Sequence, residues 1–479
     1  MSGHSDRTPD GFAAQAHDAL ADRTLTQAMR RVTDLFAERR AAALETVPDW
    51  QELREQARAI KAHTLARLDH YLVQFVDNAE KNGVVVHWAE DAAAACRVVG
   101  DLAKARGAKR LVKSKSMATE EIHLNAALRR DAGAEPVETD LGEWIIQLAG
   151  EMPSHIIVPA IHKTRQQISE LFVDKLGIAP SDEPAVLAAE ARQRLRQHFA
   201  EADMGISGVN FGVAETGTIL VLENEGNARM TTTLPKVHVA VMGIEKVIPR
   251  FTDLEVFLRL LPRSGTGQHL TSYQSLLTGP DVGVPGRAGQ GPEELHLVLL
   301  DNGRSKIAVD ETMRETLACI RCGACLNACP VYQTVGGHAY GAVYPGPIGA
   351  ILTPQLQGMH QAAALPFASS LCGACKDVCP VKIDIPSLLL ELRKRAVEGE
   401  APGAAPAKRK AFEALTWKLW AWFVRSPGRY RFAAAMARFG DKLPLVKRLL
   451  PPMRAWASSR ELPRLAKRSF RAGRKGGAS

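Results

Sequence analysis

The chain has 479 residues, of which 46% are hydrophobic and 24% charged, with 8 cysteines and a formal net charge of +9. That length leaves room for about three domains of ~150 residues, and that composition excludes a disordered chain. No apolar run reaches the ~18 residues of a membrane span, and neither MSGHSDRTPDGFAAQAHDAL nor the Arg30-Arg31 pair leads into the apolar segment of an export signal, so a soluble cytoplasmic protein is expected.

Residues 20–82 read as helices. Leu53, Ala57 and Ile60, then Leu65, Leu68, Leu72, Phe75, Val76 and Ala79, keep the three-four spacing of one buried face, and Gly83 sits where a helix C′ glycine belongs. Residues 84–87 and 110–113 read as strands, each followed by a helix, at 91–106 and 117–130. Residues 156–158 are a further short apolar run. Strand–helix alternation of this kind implies an α/β sheet. From Val209 the texture becomes β-rich: VNFGVA, GTILVLE and KVHVAVMG are separated by Glu-Thr-Gly and Asn-Glu-Gly turns. A helix over 253–261, a Gly- and Pro-rich loop over 279–292 and a strand over 295–300 complete this part. A helix at 309–317 leads into the cysteines, and 397–407, VEGEAPGAAPA, reads as a linker. Beyond it, residues 401–479 hold 19 Lys and Arg against 3 Asp and Glu, so the tail carries +16 and residues 1–400 carry −7. The positive charge belongs to the tail, and an acidic body argues against a nucleic-acid partner.

Seven of the 8 cysteines lie between Cys319 and Cys379. Close clustering in a chain without an export signal points to metal rather than disulfides. Cys319-x2-Cys322-x2-Cys325-x3-Cys329-Pro330 is the ligand run of a bacterial-type ferredoxin, whose fourth cysteine serves the neighbouring cluster. Cys372-x2-Cys375-x3-Cys379-Pro380 repeats its last three positions, with Ser369 at the first. The crossed pattern then assigns Cys319, Cys322, Cys325 and Cys379 to cluster one, and Cys329, Cys372 and Cys375 to cluster two. Cluster two is [4Fe–4S] with water, Ser369 or another side chain on its fourth iron, or it is [3Fe–4S]; spacing admits each. Zinc, which prefers closed sets of four ligands, fits seven cysteines poorly. Cys96, in AAAACRVV, reads as a small buried hydrophobe.

Other polar residues have bland readings beside their functional ones. His155, His162, His238 and His296 lie in or beside apolar runs and read as satisfied core histidines; His338 and His360 lie between the cysteine runs, within possible reach of cluster two. Lys113-Ser-Lys-Ser-Met117 is a basic strand-to-helix turn suited to an anion, with an N-cap at Ser116 as the plainer reading. Glu215 and Glu223 place carboxylates in turns, as general acid or base candidates or as solvated turn residues. No nucleotide fingerprint, G-x-G-x-x-G or GxxxxGK[ST], is present.

Residues 205–249 (GISGVNFGVAETGTILVLENEGNARMTTTLPKVHVAVMGIEKVIP), 112–128 (VKSKSMATEEIHLNAAL), 142–163 (GEWIIQLAGEMPSHIIVPAIHK) and the cysteine runs CIRCGACLNACPVY and LCGACKDVCPVKI resemble the lactate utilization protein B family. The resemblance implies an α/β LUD domain of NagB/RpiA/CoA-transferase-like fold behind N-terminal helices, then an α-helical ferredoxin and a basic helical tail. On that basis the chain divides into an arm (1–82), the LUD domain (83–305), the ferredoxin (306–396), a linker (397–407) and the tail (408–479). The resemblance also implies two [4Fe–4S] clusters and the role of iron–sulfur subunit in a system oxidising L-lactate to pyruvate. Its partners would be a cysteine-rich-domain protein and a second LUD protein. Two rival roles stand beside this one: a catalytic subunit in which Glu215, Lys113 and Lys115 face substrate, and an iron–sulfur carrier for another respiratory dehydrogenase. In the tail, AFEALTWKLWAWFV (411–424) is too short to span a bilayer but gathers three of the 7 Trp, with Lys408, Arg409 and Lys410 before it and Arg425, Arg429 and Arg431 after. It suits packing on a domain or partner, the reading preferred here, or peripheral contact with an anionic membrane.

Overall fold

The computed structural model describes residues 7–281, 283, 289–399, 405–407, 411–441 and 466. Ten strands run in chain order: β1 (Val85–Ala89), β2 (Arg110–Lys113), β3 (Glu135–Glu138), β4 (Met204–Gly208), β5 (Phe211–Val213), β6 (Thr218–Glu223), β7 (Val237–Gly243), β8 (Val247–Ile248), β9 (Tyr273–Leu277) and β10 (Glu294–Leu300). Six form a sheet in the order β1-β10-β7-β4-β2-β3, every neighbouring pair parallel. Period-two alternation sorts its side chains. On β10, Leu295, Leu297 and Leu299 join Leu72, Phe75 and Ala79 of the helix Leu68–Lys81 on one face. Val298 and Leu300 join Val239 and Val241 of β7, with Val99 of the helix Ala92–Ala105, on the other. All of β7 is buried, as befits an inner strand covered on both sides. Burying a side chain such as Phe75 contributes about 1.5–3 kcal/mol.

The second sheet, β8-β5-β6-β9, is mostly antiparallel. Phe211 and Val213 of β5 share a core with Phe257 and Leu260 of the helix Leu254–Gly265 and with Trp50 and Leu53 of the helix Trp50–Ala66. The same core continues into the cysteine region. The β5–β6 turn presses on the helix Leu68–Lys81: at Gly217 (φ +70°) a Cβ would lie 2.3 Å from the Ala79 nitrogen.

Two expectations need correction. The helix expected over 117–130 is broken, because His123 takes a left-handed conformation (φ 52°) between Met117–Glu121 and Leu124–Ala127. A continuous helix would turn Ile122 and Leu124 to opposite sides; the break buries both. The short apolar run 156–158 lies outside both sheets: the His155 ring Nδ1 accepts the backbone N–H of Ile157 (2.9 Å) and of Val158 (3.2 Å), taking the donors a strand would offer. The helix expected over 309–317 is split into Arg304–Val309 and a 3₁₀ turn, Arg314–Ala318. The Asp310 carboxylate accepts the N–H of Thr312 (3.0 Å) and Met313 (3.1 Å) and competes with the helix ladder.

The chain divides into two compact units, Met1–Ala407 and Lys408–Ser479. Within the second, the helices Ala411–Val424 and Pro427–Asp441 are described; Lys408, Arg409 and Lys410 lie outside the described residues. Trp417 meets Trp420 edge-on at 5.7 Å, and the Arg429 guanidinium lies 4.2 Å from the Trp422 ring centre. Phe412, Trp417, Trp420, Phe432 and Phe439 are all more than half exposed. Among the described residues no helix is long and apolar enough to cross a membrane.

Candidate metal centre

The two cysteine runs adopt one backbone shape twice. The residue before the second ligand position is left-handed in each, Arg321 (φ 61°) and Leu371 (φ 56°), and so is the glycine after it, Gly323 (φ 74°) and Gly373 (φ 88°). A short helix follows, Ala324–Asn327 or Ala374–Val378, and then Cys329 or Cys379 in extended backbone before its proline. Left-handed backbone at a non-glycine residue costs about 1–2 kcal/mol. It turns the Arg321 N–H toward Cys319 Sγ (3.4 Å) and the Leu371 N–H toward Ser369 Oγ (3.1 Å). Ser369 therefore holds the place in the second loop that Cys319 holds in the first.

Cys319, Cys322, Cys325 and Cys379 line one cavity, walled by Ile156, Arg321, Ile348 and Ile383. Burial, then the neighbouring Cys319, pushes the Cys379 thiol up to about 11, and burial with mutual crowding pushes Cys322 and Cys325 up as well. Cys322, Cys325 and Cys379, converging with Cys319 and disfavouring ionisation, are a poor set of free acids. They suit a bound cationic metal centre, which deprotonates its thiol ligands outright. Cys329, Cys372 and Cys375 form the second group. Burial, with Cys329 and Cys372 close by, pushes Cys375 up to about 12, while Cys372 is exposed. Backbone N–H groups of Val331 and Tyr332 point at Cys329, and those of Val381 and Ile383 at Cys379. Such donors stabilise negative charge on cluster sulfur.

Sequence reading missed two supports of this centre. Arg54, buried on the helix Trp50–Ala66, donates to the Cys379 carbonyl from Nε (3.0 Å) and Nη2 (2.8 Å), and to the Asp377 carbonyl (2.9 Å). Arg40 donates to the Val378 carbonyl at 3.3 Å. The one available signal was that Arg54 falls on the apolar face of its helix. The second support is a buried ionic network. Arg304 reaches Glu121 (2.7 Å) and Glu245 (2.7 Å), and Glu245 reaches Arg321 (3.2 Å), which lies between Cys319 and Cys322. Tyr344 donates to Glu121 at 2.7 Å and its ring centre lies 4.9 Å from the Arg321 guanidinium carbon. Burial, helped by Arg321, pushes the nearby Lys246 down to about 7.

The three basic and acidic candidates do not come together. Lys113 is fully buried and held by Glu138 (2.8 Å), Glu120 (2.9 Å) and Thr119 (3.0 Å). Lys115 lines a cleft beyond the ends of β2, β4 and β7 and donates to the Ile157 carbonyl. Glu215 accepts the Phe251 N–H at 2.8 Å and lines a separate depression with Arg250 and His63. Glu223 spends its carboxylate on backbone N–H groups, including that of Glu225 (3.0 Å). Ser116 is an N-cap, accepting from the Thr119 N–H at 3.3 Å. Cys96 packs at the edge of the sheet core. His155, His238, His162 and His338 each have hydrogen-bond partners, Asn327, Ser207, Glu151 and the Met152 carbonyl respectively; His296 pairs with His87 and Glu294, and His360 is exposed.

An α/β domain joined to a helical module carrying two groups of converging, mostly buried cysteines defines an iron–sulfur protein. The family described as LUD domain matches residues 72–300, the 4Fe-4S dicluster domain matches 315–383, and the C-terminal domain of lactate utilisation protein B matches 391–475. The chain is 45% identical to "Lactate utilization protein B 1" of Bacillus mycoides over 96% of its own length and 95% of that protein's. It is 45% identical to lactate utilization protein B of Lysinibacillus sphaericus over the same shares, 96% and 95%, and 44% identical to that of Oceanobacillus iheyensis over 94% and 92%. The chain belongs to the lactate utilization protein B family. A solved structure of a DUF162 family protein from Deinococcus radiodurans aligns with 49% of this chain and 98% of its own at 13% identity and a TM-score of 0.27, a likeness too slight to bear on the fold.

Proposed function

We propose that this chain is the iron–sulfur electron-transfer subunit of a complex that oxidises L-lactate to pyruvate. Its partners in this reading are a cysteine-rich-domain protein and a second LUD protein. The observation that carries the reading is the cavity lined by Cys319, Cys322, Cys325 and Cys379, three residues from one run and one from the other. Those four hold one [4Fe–4S] cluster; Cys329, Cys372, Cys375 and the Oγ of Ser369 hold the other. A bound cluster supplies reversible one-electron storage. The chain's own groups fix where that charge sits: backbone N–H groups face the sulfurs, and Arg40 and Arg54 hold the Cys379 loop. In this reading the second cluster sits at the surface beside the exposed Cys372, where a partner docks. The division into arm, LUD domain, ferredoxin, linker and tail, and the NagB/RpiA/CoA-transferase kinship of the parallel sheet, belong to the same proposal.

Anaerobically purified protein should contain about 8 Fe per chain. Ser369→Ala should yield about 7 Fe and a [3Fe–4S] EPR signal after mild ferricyanide oxidation, with wild type unchanged by the same treatment. Deleting the gene in a strain with no other lactate-oxidising enzyme should abolish growth on L-lactate. Stoichiometric zinc without a visible chromophore, or normal lactate consumption by the deletion strain, would overturn the reading.

The exposed aromatic residues of the helices Ala411–Val424 and Pro427–Asp441, interleaved with Arg425, Arg429 and Arg431, support peripheral contact with an anionic membrane. Full-length protein should co-sediment with anionic vesicles at low salt and be released as salt rises. A chain ending near residue 400 should stay in solution. Full-length protein that ignores the vesicles at low salt returns the tail to a packing role.

A further inference from the structure

The parallel sheet reverses its winding between β2 and β4. The chain moves outward from β2 to β3, then returns through β4, β7 and β10 on the other side. Ligands of such sheets bind in the crevice beyond the carboxyl ends of the strands at that reversal. A cleft of about 290 Å³ lies there, bounded by the residues that follow β2, β3, β4 and β7. This is the lower end of the ~300–1,000 Å³ range of ligand pockets and suits a small metabolite.

The charges of the cleft are uneven. Lys246 lines it with no hydrogen bond or ion pair among the described residues, and Lys115 lines it with only the Ile157 carbonyl as partner. The acids of the cleft are engaged. Asp140 caps the helix Leu141–Ala149 through the N–H of Gly142 (2.9 Å) and Glu143 (3.2 Å), Glu225 accepts the Leu141 N–H (3.2 Å), and Glu245 is paired with Arg304. An ammonium group in a half-buried cleft without a counter-ion is costly, and a carboxylate brought to it favours its charged form. Asp140, Glu223 and Glu225 on the wall disfavour a polyanion. Arg321 and Ile156 line both this cleft and the cavity of Cys319, Cys322, Cys325 and Cys379, so one layer of side chains separates the two.

We infer that this cleft is a binding site for a small organic monocarboxylate, held by Lys246 and Lys115 against the wall of the first cluster. The nearness to a redox centre rests on the electron-transfer reading given above; the binding site itself rests on the cleft and its lysines.

The test uses the full-length, cluster-loaded protein under anaerobic conditions and oxamate, a monocarboxylate that undergoes no oxidation. Calorimetry should show saturable one-to-one binding. Saturating oxamate should also shift the EPR spectrum of the reduced first cluster. Lys246→Ala should weaken binding about 10- to 100-fold, as expected for a lost charge-assisted hydrogen bond; Lys246→Arg should recover most of it. Lys115→Ala should weaken it in the same direction. Iron content measured on each sample shows that the variants have kept their clusters. Absence of saturable binding to the iron-replete wild type overturns the inference, as does unchanged affinity in both alanine variants. Either result leaves lactate-dependent growth and cluster content untouched, so the cleft fails without the relay. Normal growth of the deletion strain on lactate, with oxamate binding intact, removes the relay without the cleft.

Discussion

Cys379→Ala is expected to remove the cluster whose other ligands are Cys319, Cys322 and Cys325, although Cys379 stands four residues from Cys375. Iron should fall from about 8 to about 4 per chain, and lactate-driven reduction should be lost. The expectation follows from where the folded chain puts the thiols. Cys379 lines the cavity of the first run, its carbonyl is fixed by Arg54 (2.8 and 3.0 Å), and its sulfur receives the Ile383 N–H at 3.4 Å. Cys329 faces Cys372 and Cys375 instead. The [3Fe–4S] signal expected of Ser369→Ala provides a tag for the second cluster. In that background Cys379→Ala should keep the tag and Cys329→Ala should lose it. The reverse pattern would mean that each run serves its own cluster.

Much of this centre was legible because metal-ligand spacing is local. Cys319-x2-Cys322-x2-Cys325-x3-Cys329-Pro330 fixes the loop shape, and the repeat from Ser369 to Pro380 extends it. The inner strands were legible for a related reason: VAVMG and LVLL are apolar without interruption, as strands covered on both faces tend to be. What escaped was set by distant contacts. β3 carries Pro136 and two glutamates, and β4 carries two glycines, so neither looks like a strand until its neighbours supply the hydrogen bonds. The breaks at His123 and Asp310 answer to burial on the sheet and to a side-chain cap, which helical periodicity does not register. The roles of Arg54, Arg304 and Arg321 were likewise set by contacts far along the chain. Their partners lie 325, 183 and 76 residues away. Glu215, Lys113 and Lys115, grouped as candidates by residue type, occupy a depression, the core and the cleft in turn.

Arg304 is the residue whose loss should harm the fold most. Its side chain is 1% exposed and bridges Glu121 (7%) and Glu245 (1%) at 2.7 Å each. Arg304→Met keeps most of the volume but leaves two buried carboxylates short of a partner, which costs about 3–5 kcal/mol. The pH dependence has a definite sign. Against the opposing penalty of burial, Arg304 and Arg321 hold Glu245 down at about 2, and Arg304 also holds Glu121 low. A carboxylate depressed in the folded state contributes stability above its unfolded pKa, ~4.3, and loses it as pH falls toward 2. Arg304→Met should therefore be most damaging at pH 7–8, and the gap to wild type should narrow as pH falls below ~4.3. Pulse proteolysis across a urea series at several pH values reads both effects. Adding Glu245→Gln and Glu121→Gln to Arg304→Met removes the stranded charges and should recover part of the loss, because an unpaired buried charge costs more than a neutral, hydrogen-bonded replacement. A triple variant less stable than Arg304→Met at pH 7 would show that the carboxylates do more than balance Arg304. Arg321, which shares Glu245 and lies between Cys319 and Cys322, would then be the main partner of Glu245, and the network would serve the first cluster's loop rather than the sheet.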